Sequence, residues 1–321
     1  MIHVITLSLF LILIVHDAFP GADSPFPLVQ GLSSTSTALL AICPFFAFWA
    51  ATHLVVRRSG RALDRTGRHR PLRTAILALT IARVSTLLLF AIAVLGADWL
   101  GVIRNAIGDV VLLDEALALL LPLATLALLW WSYYPIERRL REAAILTSLD
   151  RDHPVPGLPT RWQYVADQVR LHLLLVIVPL FALTLWWESF DRVMHWADSR
   201  TMLPERAWVS PIITAAHYAG ILAIVALMPL LLVRVWSTVR LGHGPLRERL
   251  ESLCRNNAVR VRDLLVWRTH NAMVNGALVG VVPPFRYILL TDALLASLPL
   301  SHIEAVMAHE VGHVLGERHA P

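Results

Sequence analysis

The 321-residue chain contains no lysine and only two cysteines, and just 16% of its residues are charged. Every one of its 28 basic side chains is therefore an arginine. Cys43 and Cys254 lie far apart in the sequence and follow no spacing pattern, which excludes a disulfide framework as the basis of stability. We find no internal repeat and no low-complexity tract. With 56% apolar residues and a mean hydropathy of +0.61, this is not the composition of a soluble protein.

The net charge of +5 and the pI near 9.8 would by themselves be compatible with nucleic-acid binding. However, most of the arginines lie between apolar runs, and no nucleic-acid recognition motif accompanies them. Membrane topology explains this distribution better, because basic residues flank membrane spans on one side. We therefore expect a lipid bilayer, and no nucleic acid, among the partners.

Six apolar runs approach or exceed the length needed to cross a bilayer. They cover residues 2–15, 37–56, 74–95, 110–131, 171–187 and 212–233. The first run is short and resembles the core of a signal peptide, but no arginine precedes it and no clear cleavage site follows, which favours a retained span. The sequence thus predicts a mainly α fold, with a polytopic helical membrane domain of about six spans over residues 1–236.

Connections rich in arginine alternate with connections that are poor in it. Seven arginines lie within residues 57–73 and six within residues 132–170. By the positive-inside rule, these segments, the N-terminus and everything after Arg234 are expected in the cytoplasm. We therefore predict a multi-pass protein that is located in a cell membrane, such as a bacterial inner membrane.

Three charged residues lie inside predicted spans, namely Arg83, Asp114 and Glu115. Charges within a membrane are costly and usually face the bundle interior, where they pair. The pattern favours a structural ion pair between Arg83 and one of the two carboxylates. A polar pathway through Arg83 and Asp114 is the functional alternative.

From Gly242 onward the composition is that of a soluble α+β domain, and we place this domain at residues 240–321. Helical spacing and runs of β-branched and aromatic residues predict its elements. They are a helix over 245–256, strands over 259–267, 273–282 and 286–290, a short helix over 293–298, and a final helix.

The final helix carries His309-Glu310-Val311-Gly312-His313. Residues four apart lie on one helix face, so both imidazoles can reach one zinc ion while Glu310 deprotonates a water. Apolar residues anchor the opposite side of this helix. The alternative is an amphipathic helix that carries two histidines by chance. We expect one zinc ion per chain.

Four segments, 261–267, 275–280, 286–292 and 303–313, resemble one family in their order and spacing. It is the family of integral-membrane zinc metallopeptidases that includes HtpX and the type I CAAX prenyl protease. The resemblance covers about the last seventy residues, so it concerns this domain and not the whole chain. It implies a zincin-type metallopeptidase domain that hydrolyses peptide bonds at the cytoplasmic membrane face, with a peptide or membrane protein as substrate.

The resemblance also implies roles for individual residues. His309 and His313 would bind zinc, and Glu310 would be the general base toward the zinc-activated water. The strand over 275–280 would lie along the cleft, where an extended substrate adds as another strand next to Asn275. A turn residue before Gly276 is the alternative role of Asn275.

A catalytic zinc normally has a third protein ligand. The family takes it from a glutamate on a later helix, whereas only Glu317 follows His313 here, so we expect the chain to be truncated before that ligand. Residues 309–319 also fit His-Glu-x-x-His-x-x-Gly-x-x-His, with Gly316 as the hinge and His319 as the third ligand. Both possibilities stay open at this point.

Two functions from other classes compete with the peptidase. One is a multi-span receptor or transducer with a metalloprotease-like cytoplasmic domain, although the external loops are short for a sensor. The other is a non-catalytic membrane scaffold, which the absent third ligand would favour if the chain were complete.

Overall fold

The computed structural model describes residues 1–18, 33–67, 69–149, 157–200, 209–269 and 273–319, without the side chains of 18, 144, 146–149 and 314–319. Its contacts divide the chain into two compact units. The first comprises Met1–Ala144 and Thr160–Pro204, and the second Ile145–Pro159 and Glu205–Pro321.

The first unit is a bundle of α-helices. They are α1 (Ile2–Ala18), α2 (Ser34–Thr66), α3 (Arg70–Ala91), α4 (Trp99–Ile107), α5 (Leu113–Leu149, which runs on into the second unit), α6 (Arg161–Gln168) and α7 (Leu175–Ser199). A π-helical turn extends α3 to Gly96, and another joins α6 to α7. Leu9, Phe45, Phe90 and Trp130 are among the fully buried side chains of its core.

Five helical segments of the described chain are long and apolar enough to cross a membrane. They are Ser34–Thr66, Arg70–Gly96, Leu113–Ala143, Arg161–Ser199 and, in the second unit, Val209–Val235. The first predicted span corresponds to α1, whose 17 residues extend about 26 Å, slightly less than the hydrocarbon core of about 30 Å. It packs against α3 and α7. The prediction of a mainly α, polytopic membrane fold is confirmed.

The arginine-rich segment 57–73 is mostly helical rather than a connection. Arginine is a good helix former, so α2 continues past the apolar run to Thr66. It ends where Gly67 adopts φ +59° and donates its N–H to the carbonyl oxygen of Leu63. Residues 67–69 alone separate α2 from α3.

The ion pair predicted between Arg83 and a carboxylate of α5 is wrong. Arg104 takes that role, with Nε 2.5 Å from Asp114 Oδ2 and Nη2 2.9 Å from Glu115 Oε1. Arg104 also lies 2.6 Å from Asp17, at the end of α1. Both carboxylates stand in the first turn of α5, next to α4 in the chain, so Arg104 reaches them without crossing the apolar interior. Arg83 has no ion-pair partner within the described ranges.

The second unit combines a helix of membrane-spanning length with a four-stranded sheet. Its elements are α8 (Val209–Val235), β1 (Thr238–Arg240), α9 (Pro245–Asn256), β2 (Asp263–Trp267), β3 (Gly276–Val279), β4 (Tyr287–Thr291), α10 (Asp292–Ser297) and α11 (Leu300–His319). The strand order is β1-β2-β4-β3. β2 and β4 are parallel, with Leu265 opposite Leu289, while the other two pairs are antiparallel.

The elements predicted for this unit are all present, and β1 is an additional strand that was not predicted. β2 and β3 are shorter than predicted, while β4 has the predicted length and is shifted by one residue. α9 has the predicted bounds, because Pro245 fixes its first turn and Leu250 and Cys254 form its buried side. The strand predicted from residue 259 begins only at Asp263. Ala258 has φ +55°, and Val259 donates its N–H to Cys254 in α9 instead of to a neighbouring strand.

α11 is anchored by three side chains on one face. Ile303, Met307 and Val311 are 2%, 0% and 1% exposed and join the core formed by α9 and the sheet. Each such burial contributes about 1.5–3 kcal/mol relative to exposure. α11 contacts β3 and α9, so the opposite side of the helix is left for other groups.

Candidate metal centre

The three residues of the metal signature lie together on α11. His309 Nε2 and His313 Nε2 are 3.1 Å apart, and the two ring centroids are separated by 4.6 Å. One ligand atom each from His309, Glu310 and His313 lies within 4.8 Å of the others. Both histidines are exposed and Glu310 is half-buried, so the group is open to water and to a substrate.

The separation of the two imidazoles fits a shared metal ion. Two nitrogens at about 2.05 Å from a tetrahedral ion are about 3.3 Å apart, close to the 3.1 Å in the structure. Imidazole nitrogens are also among the ligands that suit zinc. Among the residues whose side chains are described, this is the one group of three His, Cys, Asp or Glu with that arrangement.

The side chain of His319, the candidate third ligand within the chain, lies outside the described residues, as does that of Glu317. The backbone of α11 is helical through His319, without the reversal at Gly316 on which the second alternative depends. The third ligand stays a prediction.

Asn275 lies directly before β3, the strand at one end of the sheet order. Its backbone N–H donates to Thr291 Oγ1 at 2.9 Å, and its carbonyl oxygen accepts from Thr291 N–H and Oγ1, both at 3.0 Å. The exposed side chain makes no hydrogen bond to a described residue. The structure therefore places Asn275 at the entry to the edge strand with its amide available.

The position of β3 relative to α11 is fixed by a close approach at Gly276. A Cβ atom at this position would lie 3.1 Å from Val306 Cγ1 of α11. The missing side chain at Gly276 therefore lets β3 pack closely against α11, the helix that carries the two histidines.

Two positioning interactions were not identified from the sequence. Thr291, the N-cap of α10 through the N–H of Leu294, also holds the backbone of Asn275. Arg286 is buried and donates to the carbonyl oxygens of Gly280 and Val281, which closes the connection from β3 to β4. Arg286 and Thr291 both lie in segment 286–292, whose resemblance to the family was the available signal. Their hydrogen-bond partners, however, depend on the strand pairing.

An ion pair also connects α9 to the metal helix. Arg249 Nη1 lies 3.1 Å from Glu304 Oε1 of α11. On the other side of α9, Arg247 donates to Glu251 at 2.7 Å and to Asp263 of β2 at 2.8 Å. These hydrogen bonds, first that to Glu251, hold the pKa of Arg247 above its ordinary value. α9 thus links the sheet to α11.

Fold and site together define a polytopic helical membrane protein whose C-terminal α+β unit presents a His-Glu-x-x-His helix. Residues 241–320, which are 80 of the 321, match the model of Peptidase family M48. The family predicted for this segment is therefore confirmed.

Comparison with solved and curated proteins adds little to this. A crystal structure of S. mikatae Ste24p is similar over 91% of this chain and 68% of that one, at 16% identity and a TM-score of 0.28. At that score the likeness does not decide the fold. Among curated proteins none matches the chain.

Proposed function

We propose that this protein is a membrane-bound zinc metalloendopeptidase. The observation that carries the proposal is the 3.1 Å approach of His309 Nε2 and His313 Nε2 beside Glu310, on a helix fixed by three buried side chains. The match of this segment to a peptidase family and the five apolar helices support it.

Each residue of the group would have a separate task. His309 and His313 would hold one zinc ion, which when bound supplies Lewis-acid chemistry by acidifying water and polarising a carbonyl. Glu310 would take the proton of the attacking water and deliver it to the leaving amine.

The substrate would bind as an additional strand beside β3. β3 pairs with β4 on one side, which leaves its other edge for an extended peptide. Asn275, at the start of this edge, would hydrogen-bond the peptide through its amide. We expect Asn275→Ala to raise KM severalfold without loss of metal, whereas Asn256→Ala, at the exposed end of α9, should leave KM unchanged.

The site would act at the cytoplasmic face of the membrane. This orientation rests on the arginines of segment 57–73 and of the end of α5, which the positive-inside rule assigns to the cytoplasm. A peptide or a membrane protein is then the substrate class. Labelling of single cysteines introduced on either side of α8 in sealed vesicles would check the orientation.

Metal content is the first test. The purified 321-residue chain should contain one zinc ion, and His309→Ala or His313→Ala should lose it. His302→Ala is the matched control, because this exposed histidine lies on the same helix outside the group. A zinc-free wild type, or equal zinc loss in His302→Ala, would remove the metal from the proposal.

Proteolysis is the second test. Glu310→Gln should retain zinc and lose about 10²–10⁴-fold in casein cleavage, the usual contribution of a general base. Glu248→Gln, an exposed glutamate of α9, is the control and should cleave as the wild type does. A chelator should abolish the wild-type activity. Cleavage by Glu310→Gln at the wild-type rate contradicts its assignment as the base.

The same experiments separate the competing functions. A chain that binds zinc but cleaves no casein favours a transducer with a metalloprotease-like domain. A chain that neither binds zinc nor cleaves favours a scaffold. Zinc loss in His319→Ala would assign that residue as the third ligand, whereas retention would remove it from the ligand set. A chain extended beyond residue 321 would then test for a glutamate ligand of the family type.

A further inference from the structure

A small cavity lies where α8 continues into the sheet of the second unit. Its volume is about 310 Å³. Leu230 and Val233 of the last turns of α8 and Leu265 and Tyr287 of the sheet provide its less polar side. Four charged residues complete the lining: Arg234, Arg240, Arg262 and Asp263. We call this cavity the arginine pocket. It is separate from the group on α11.

The charge of the arginine pocket is not balanced by its own lining. Three exposed arginines face one carboxylate, which is a net charge of +2. Asp263 already accepts from Arg247 at 2.8 Å and pairs with Arg240 at 3.1 Å. The guanidinium groups of Arg234 and Arg262 have no ion-pair partner in the part of the chain that the structure describes. The pocket therefore favours an anion.

The end of α8 that lines the pocket has the composition of a segment at the level of the lipid headgroups. α8 spans 27 residues of high hydropathy and ends at Val235, one residue after Arg234. Trp236 follows and stacks on Trp267 of β2 with ring centroids 4.5 Å apart. Arginine and tryptophan at the end of an apolar helix mark the interface between hydrocarbon and water.

We propose that the arginine pocket binds the headgroup of an anionic phospholipid. The phosphate would accept hydrogen bonds from Arg234, Arg240 and Arg262, while an acyl chain would pack along Leu230 and Val233. A free phosphate would satisfy the arginines but not the apolar side, so we assign the site to a lipid. The proposal does not depend on zinc or on peptidase activity.

The test is photo-crosslinking of the full chain in vesicles. One probe is a phosphatidylglycerol with a diazirine in its acyl chain, and the other is the matching phosphatidylcholine. Labelling of residues 230–240, read by mass spectrometry after chymotrypsin digestion, should be severalfold stronger with phosphatidylglycerol. Each single substitution among Arg234→Gln, Arg240→Gln and Arg262→Gln should weaken competition by unlabelled phosphatidylglycerol about fivefold, which corresponds to about 1 kcal/mol per arginine.

Two controls make the result specific. Arg260 lies in the same loop as Arg262 but does not line the pocket. Arg260→Gln therefore removes the same charge and should change competition by less than about twofold. Labelling of residues 57–73 should be unchanged in the triple variant, which shows that the membrane unit is intact. Equal labelling by both probes, a preference that survives in the triple variant, an equal loss in Arg260→Gln, or full displacement by inorganic phosphate would each overturn the proposal.

Discussion

Gly280, directly after β3, is the residue whose replacement should disturb the candidate site most through backbone geometry. Its φ is +117°, which side chains rarely adopt and which costs about 1–3 kcal/mol when they do. A Cβ atom there would also lie 2.6 Å from the carbonyl oxygen of Phe285 and 2.8 Å from Cα of Arg286. Both neighbours are backbone atoms that cannot rotate away, so overpacking adds about 1–3 kcal/mol. Gly280→Ala should therefore cost about 2–6 kcal/mol.

Thermal unfolding of the full chain in detergent measures this cost. At about 2–4 °C per kcal/mol, Gly280→Ala should lower Tm by at least about 4 °C. It should also weaken zinc binding, because β3 contacts α11. Gly242→Ala is the control in the same unit. Its φ is not in the positive range and a Cβ atom there would meet nothing within 4 Å, so its Tm should stay within about 1 °C of the wild-type value. Wild-type Tm in Gly280→Ala, or an equal fall in Gly242→Ala, would refute this reasoning.

Three further predictions concern the core, the membrane unit and pH. Met307→Ala, at a fully buried position of α11, should cost about 2–5 kcal/mol of unfolding free energy and weaken zinc retention, while Met307→Leu should cost less than about 1.5. Arg104→Gln leaves the buried carboxylates of Asp114 and Glu115 without their cation and should cost about 3–5 kcal/mol by thermal unfolding, part of which Asp114→Asn should restore in the double variant. Burial raises the pKa of the Cys254 thiol above its ordinary 9.0, so the folded chain holds this proton more tightly than the unfolded chain does. Stability should therefore fall as pH rises above 9.0, with a shallower fall in Cys254→Ala.

The elements of the second unit could be predicted because local signals mark them. Pro245 opens α9, and Thr291 caps α10. The His-Glu-x-x-His spacing places its own residues on one helix face, whatever the rest of the chain does. These signals act within one or two turns of helix, so no tertiary information is needed to interpret them.

The contacts between residues of different elements could not be predicted, because they depend on tertiary packing and not on local sequence. The choice of Arg104 over Arg83 depends on how α4 and α5 are rotated against each other, which no local pattern records. The parallel pairing of β2 with β4 is equally non-local, and it decides that β3 lies at the end of the sheet next to α11. The roles of Thr291 and Arg286 follow from that pairing.

Only residues 236–237 separate α8 from β1, and this short link limits the distance between the end of α8 and the sheet. β1 and β3 are three strand spacings apart, about 14 Å, which is roughly four residues of extended chain. The sheet is thus held close to the end of α8. For the proposed peptidase, this short connection would limit the accessible peptide bonds to the first few residues beyond a substrate's own membrane segment.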